Sequence, residues 1–149
     1  NEEIILACDE DKIERIMLNL ISNAIKFSQL HTDIEIKIKT NVDLNRVYIS
    51  VKNYGSNIEF NDREKIFERF HKGDNSLNRK NEGCGIGLFL CRKFIEMHGG
   101  EIFLDNIDNG TQFSFYLPIN ITSEKIYNPL MQKDSLIEKC NIEFSDIYT

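Results

Sequence analysis

The sequence predicts an α+β domain, a two-layer α/β sandwich in which three main helices lie on one face of a mixed sheet of about five strands. The first observation is the order of the elements, which runs strand, helix, strand, strand, short helix, loop, helix, strand, strand. The second is that two strand pairs are joined by turn-length connectors, the mark of antiparallel hairpins. The third is the shortage of helices: a doubly wound parallel sheet needs a crossover after almost every strand, and here there are too few.

Taken in order, residues 4–8 (IILAC) form a short apolar run bounded by charge and are expected to be a strand. From Asp9 the period changes, with Ile13, Ile16, Met17, Leu20, Ile21, Ala24 and Ile25 recurring at three and four. That spacing predicts an amphipathic helix of about five turns, with Asp9 or Asp11 able to cap its start. Residues 34–40 (IEIKIKT) and 47–53 (VYISVKN) alternate with period two. Ile34, Ile36 and Ile38, then Val47, Ile49 and Val51, therefore share faces, and the connector NVDLNR makes the two an antiparallel pair. After the turn-rich NYGSNIEFN, the segment DREKIFERF is expected to be a short helix that turns Ile66, Phe67 and Phe70 inward. Residues 71–82 hold Leu77 as their one large apolar side chain and are expected to form a mobile loop. Gly83, Gly85 and Gly87 open a helix through Leu90, Phe94, Ile95 and Met97 to a glycine stop at Gly99 and Gly100. Strands at 101–105 and 111–119 follow around the turn residues DNG, and residues 120–149 form a polar extension of unassigned role.

At 149 residues the chain can build a single core without disulfides or metal staples. Its 24 acidic against 18 basic residues argue against general nucleic-acid binding, because a phosphate backbone rewards a basic face. No apolar run approaches the ~18 residues of a membrane span, so no direct membrane contact is expected. Cys8, Cys84, Cys91 and Cys140 show neither a C-x-x-C pair nor zinc spacing, and are expected to be reduced thiols in a cytoplasmic protein. The chain starts at Asn1 rather than Met, and is expected to be a piece of a longer protein.

Two constellations could carry chemistry. At 100° per residue, Lys12, Asn19, Asn23 and Lys26 fall within about 60° of one another on the first helix, at the flank of its apolar stripe. Amide oxygens are hard neutral ligands suited to Mg²⁺, and Lys is a point-charge partner for phosphate. Asn at a core boundary also serves simply to cap or solvate. The second constellation, Gly83, Gly85 and Gly87 ahead of a helix, lets backbone approach an anion at the positive helix end, although a G-x-G-x-G loop alone also serves as a plain turn. The twelve polar residues before these glycines exclude a dinucleotide fingerprint, and the absence of G-K-[ST] excludes a P-loop. His31, His71 and His98 assemble into no Ser/His/Asp or Cys/His set.

In this order the segments resemble the catalytic, ATP-binding domain of bacterial sensor histidine kinases, the Bergerat-fold family shared with gyrase, the Hsp90 chaperones and MutL. NLISNAIKFS at 19–28 is similar to the N box, IFERF at 66–70 to the F box, and GCGIGL at 83–88 to the second glycine box. EMHGG and GTQFSFYLP are similar to the family's last helix and strand, and the likeness spans residues 4–118. It implies an ATP-binding domain at 1–119, with Asn23 as the Mg²⁺ ligand, Asn19 facing the phosphates, Lys26 on a phosphate and Phe27 packed near adenine. Asn53, Gly55 and Ile58 would line the nucleotide site. Gly83, Gly85, Gly87 and Leu88 would hinge and back an ATP lid at 71–82, and Arg69 or Lys72 would swing a cation toward the terminal phosphate.

The ATP-hydrolysing relatives carry a Glu four residues before the metal-binding Asn; this sequence has Asn19 there, and a neutral amide is no general base. The resemblance therefore implies transfer of the γ-phosphoryl group to a histidine of the protein's own dimerisation domain, before Asn1, in a homodimer that serves a response regulator. One departure stands against this. The first glycine box, usually D-x-G-x-G-[IM], is Asn53-Tyr54-Gly55-Ser56-Asn57-Ile58. Losing the Asp charge exchanges a bond of about 1.5–3 kcal/mol for one of about 0.5–1.5 kcal/mol. The alternative is a degenerate module of the same fold that binds partners without transferring a phosphoryl group.

Overall fold

An acceptor in the right place starts the first helix. In the computed structural model, which describes residues 6–69 and 86–119, Oδ1 of Asp9 accepts from the backbone N–H of Lys12 at 3.2 Å, and the Lys12 ammonium also pairs with Asp9. This cap launches α1, Glu10–Phe27, which buries Ile16, Leu20 and Ala24. The hairpin of β1 (Ile34–Asn41) and β2 (Arg46–Tyr54) follows, then α2 (Gly87–Met97), β3 (Glu101–Ile107) and β4 (Gly110–Pro118). Just past α2 the backbone enters the left-handed region that glycine accommodates: Gly99 has φ 75°, its N–H donates to Glu96 O at 2.9 Å, and that of Gly100 to Ile95 O at 3.0 Å.

The sheet order is β1-β2-β4-β3, and every pairing is antiparallel. Both helices lie over one face, where Val47, Ile49 and Val51 of β2, Ile102 of β3 and Phe113, Phe115 and Leu117 of β4 are buried. Each fully buried aliphatic or aromatic side chain contributes about 1.5–3 kcal/mol by leaving water.

Three expectations are corrected. Among the described residues the sheet has four strands rather than five and is antiparallel rather than mixed. Residues 6–8 form no strand: Leu6 packs on the core and the Asp9 N–H donates to Nε2 of His98 at 3.0 Å, so the chain enters as the lead into α1. Residues 4 and 5 lie outside the described residues. The third helix is instead two 3-10 turns, Phe60–Asp62 and Lys65–Phe67. So short a segment does not recover the cost of nucleating an α-helix, whereas single 3-10 turns suffice to bury Phe67 edge-on against Phe113, centroids 6.0 Å apart. The β1 isoleucines share a face as expected, with Ile34 packed on the core and Ile36 and Ile38 exposed. The 71–82 loop, Phe70 and the 120–149 extension lie outside the described residues, as do Cys84 and Cys140. Cys8 is exposed and Cys91 buried, and the two form no disulfide with each other. No helix among the described residues is long and apolar enough to cross a membrane.

The opposite face of the sheet is polar. Glu35 accepts there from Lys37 at 2.7 Å, from the Tyr54 hydroxyl at 3.0 Å and from Lys52 at 3.2 Å. These donors, Lys37 first, hold its carboxyl down from 4.5 to about 2. A depressed carboxylate stabilises the fold above its unfolded value and loses that contribution as the pH falls through its folded one. The melting temperature of the wild type is therefore expected to fall between pH 4.5 and 2 more steeply than that of Glu35→Gln. Identical acid profiles would mean that the cluster does not hold the charge.

Candidate nucleotide site

The helical period places Asn19 and Asn23 one turn apart, and the structure joins them. Nδ2 of Asn23 donates to Oδ1 of Asn19 at 3.3 Å, and the Cys91 thiol of α2 approaches the same oxygen at 3.5 Å. Among the described residues no hydrogen bond reaches Oδ1 of Asn23. That leaves a hard amide oxygen of the kind that suits Mg²⁺, whose remaining positions would go to phosphate oxygens and water.

Gly87, the first residue of α2, sits directly on this pair. A Cβ built there would lie 2.1 Å from Nδ2 of Asn19, so only glycine leaves room for the Asn19 side chain in this position. The amides are thereby set beside the N-terminal end of α2, where unpaired backbone N–H groups favour an anion. Leu88, next in α2, packs on the core rather than into an open site. Lys26 lies in the last turn of α1 with its ammonium 6.0 Å from the centroid of the Phe27 ring. Phe27 is half-exposed, and its carbonyl is the group that requires glycine at 55: a Cβ on Gly55 would lie 2.2 Å from Phe27 O. With the Ser28–Gly55 bridge and the bond from Gln29 N–H to Tyr54 O at 2.7 Å, this contact locks the end of α1 to the end of β2.

Asn53 is the last helix-facing residue of β2, and it is buried to 3% exposure. Its Nδ2 is buried without a hydrogen-bond partner among the described residues. Its register partner on β4, Thr111, is buried too and donates its hydroxyl to Ser56 O at 3.3 Å. Beside Thr111 lies a cavity of about 220 Å³ walled by Ile58, Asn57, Arg63, Leu104 and the β3–β4 turn. Asn57 has a structural task that its sequence position conceals: its Oδ1 accepts from the Gly110 N–H at 2.7 Å and fastens this turn.

The structure thus brings Asn19, Asn23 and Gly87 together, sets Asn53 opposite Thr111, and puts Thr111 and Ile58, but not Asn53, on the cavity wall. Asn19, Asn23 and Lys26 are not part of the cavity wall. Lys12 is occupied with Asp9 rather than aligned with the amides for a ligand. Arg69 is exposed beyond the second 3-10 turn, while Lys72, Gly83 and Gly85 lie outside the described residues. Sequence reasoning missed Thr111, Arg63 and Leu104 as wall residues. Thr111 stands at an alternating position of a strand, and nothing in the sequence announces that the register sets it against Asn53.

The sequence model of the family described as "Histidine kinase-, DNA gyrase B-, and HSP90-like ATPase" matches residues 8–121. The sensor histidine kinase WalK of Bacillus subtilis (strain 168) is 37% identical over 119 residues, which is 79% of this chain and 20% of that protein. Among solved structures, the nucleotide-free catalytic domain of the histidine kinase ThkA superposes with a TM-score of 0.68 at 34% identity, covering 80% of this chain and 74% of that one. ThkA is also solved in complex with the response regulator protein TrrA, with TM-score 0.65, 32% identity and coverage of 80% and 32%. Full-length ShkA in complex with AMPPNP gives a TM-score of 0.68 at 25% identity, covering 82% of this chain and 24% of that one.

Proposed function

Because this chain belongs to the family of histidine kinase-, DNA gyrase B-, and HSP90-like ATPases, we propose that it is the Mg·ATP-binding catalytic domain of a sensor histidine kinase. The observation that carries the proposal is the seating of Gly87 against the Asn19 amide, which sets a metal-suited amide pair at the start of a helix. Asn23 would hold the ion through its free amide oxygen, and the ion would neutralise clustered phosphate charge. Asn19 and the α2 N-terminus would face the phosphates with Lys26, the cavity behind Thr111 would take the base, and Arg69 or Lys72 would reach the terminal phosphate. That full-length ShkA is solved in complex with AMPPNP supports nucleotide binding by this domain.

Asn19 stands where a water-activating base would be needed, and an amide cannot remove a proton from water. The γ-phosphoryl group would then be kept for a histidine on the protein's own dimerisation domain, within a homodimer. The complex of ThkA with TrrA supports a response regulator as the onward acceptor. We place the ATP-binding domain at 1–119, followed by an extension, in the cytoplasmic part of a sensor; the family match over residues 8–121 supports the domain itself. Titrating a non-hydrolysable ATP analogue with and without Mg²⁺ is the test: Mg²⁺-enhanced binding is expected, and no binding at millimolar nucleotide overturns the proposal.

Asn53 favours a second reading, a partner-binding module that has lost phosphoryl transfer. Asn53→Asp in the full-length protein separates the two. A large gain in autophosphorylation supports the degenerate module, and robust activity in the unaltered protein refutes it.

A further inference from the structure

We propose that the Cys91 thiol is a positioning group that fixes which way the Asn19 and Asn23 amides face, and so keeps the Asn23 oxygen free for a metal ion. The inference rests on the nucleotide-binding reading above and adds to it a residue of α2 too buried to touch a ligand itself. Cys91 is 2% exposed where α2 packs on α1. Its Sγ lies 3.5 Å from Oδ1 of Asn19 and 3.9 Å from Ile16 O. A carbonyl inside a helix already accepts from the N–H four residues on, so the Asn19 oxygen is the better acceptor for the S–H.

Two amides one turn apart can pair in two ways. Nδ2 of Asn23 donates to Oδ1 of Asn19, as observed at 3.3 Å, or both amides turn over and Nδ2 of Asn19 donates to Oδ1 of Asn23. Each arrangement holds one bond within the pair, so the pair alone does not choose. The consequences for a cation are opposite. As observed, the Asn23 oxygen is left over for a metal ion; turned over, that oxygen is taken by an N–H, and the atom left over is a nitrogen whose hydrogens repel a cation. Cys91 breaks the tie, because its S–H donates to the Asn19 oxygen, whereas a turned Asn19 would present N–H groups to a sulfur that accepts only weakly. The same choice sets Nδ2 of Asn19, a donor, beside Gly87 at the start of α2, the end that suits an anion.

The test uses Cys91→Val, which removes the donor, and Cys91→Ser, which keeps one. The first readout needs no nucleotide. The infrared difference spectrum of wild type minus Cys91→Ser isolates the Cys91 S–H stretch, and the same difference taken in the Asn19→Ala background is expected to show that band at higher frequency, because its acceptor has gone. A band that ignores Asn19 overturns the proposal. The second readout is the affinity for a non-hydrolysable ATP analogue with and without Mg²⁺. The enhancement by Mg²⁺ is expected to fall by roughly two- to tenfold in Cys91→Val and by less in Cys91→Ser, with the Mg²⁺-free affinity unchanged in both. A general loosening of the α1–α2 contact would instead weaken both conditions alike, and that result, or an equal loss in the two variants, overturns the thiol donor as the cause. An unchanged enhancement in Cys91→Val overturns the proposal while leaving the nucleotide reading standing. If the wild type binds no analogue, the nucleotide reading fails, and the infrared band still decides whether the thiol orients the amides.

Discussion

Asn23→Ala is expected to abolish the Mg²⁺ dependence of ATP binding, and with it any phosphotransfer, while leaving a residual magnesium-independent affinity for adenosine. Asn23 projects from the fourth turn of an 18-residue helix and offers an amide oxygen with no competing bond among the described residues. A ligand fixed on a helix places an ion better than one on a loop, so its loss is felt wherever Mg²⁺ must offset phosphate charge. Asn53→Ala should do the reverse. It removes only neutral hydrogen bonding, worth about 0.5–1.5 kcal/mol, and should weaken adenosine and ATP by similar factors of roughly three to ten. Calorimetric titration of both ligands against both variants, with and without Mg²⁺, separates the roles. A Mg²⁺ effect that survives in Asn23→Ala would show that the metal is held elsewhere.

Periodicity exposed some parts of the molecule and hid others. α1 was readable because its apolar residues recur over about five turns with an acidic cap in front, and the hairpin of β1 and β2 because alternation and a short connector agree. The same alternation could not reveal that Ile36 and Ile38 stand uncovered, since that depends on how far the helices extend across the sheet. The 62–70 segment has a helical pattern too brief to enforce a helix, and packing of Phe67 on Phe113 decided its form. Within the site, the alignment of Asn19 and Asn23 followed from 100° per residue. The orphaned Asn53 donor, the Thr111 neighbour and the bond from Gly110 to Asn57 all arise from the register of β2 on β4, a long-range fact with no local signature. Asn57 illustrates the difference: in sequence it is bulk in place of a glycine, and in the fold it ties down a turn.

Gly87→Ala should separate binding from stability. The added methyl would fall 2.1 Å from Nδ2 of Asn19, at the free end of a side chain able to rotate away, so the backbone need not move. Alanine also suits a helix better than glycine by about 1 kcal/mol, and the melting temperature is expected to hold or rise slightly. The displaced amide would surrender the bond that its Oδ1 accepts from Asn23 and its contact with Cys91, and it would no longer stand beside the start of α2. Losing about 1–3 kcal/mol of polar interaction at that point should weaken Mg·ATP by roughly ten- to a hundredfold. Gly99→Ala is the counterpart at the far end of the same helix. There φ is 75° and the nearest foreign atom is Cγ of Pro118 at 3.5 Å, so the methyl fits but the backbone conformation does not suit it. The cost, about 1–2 kcal/mol, should appear as a lower melting temperature with unchanged nucleotide affinity. Measuring melting temperature and ATP affinity for both variants decides the matter. If Gly87→Ala binds ATP as the wild type does, the contact between α2 and Asn19 is packing alone, and the phosphate end of the site must be sought elsewhere on the chain.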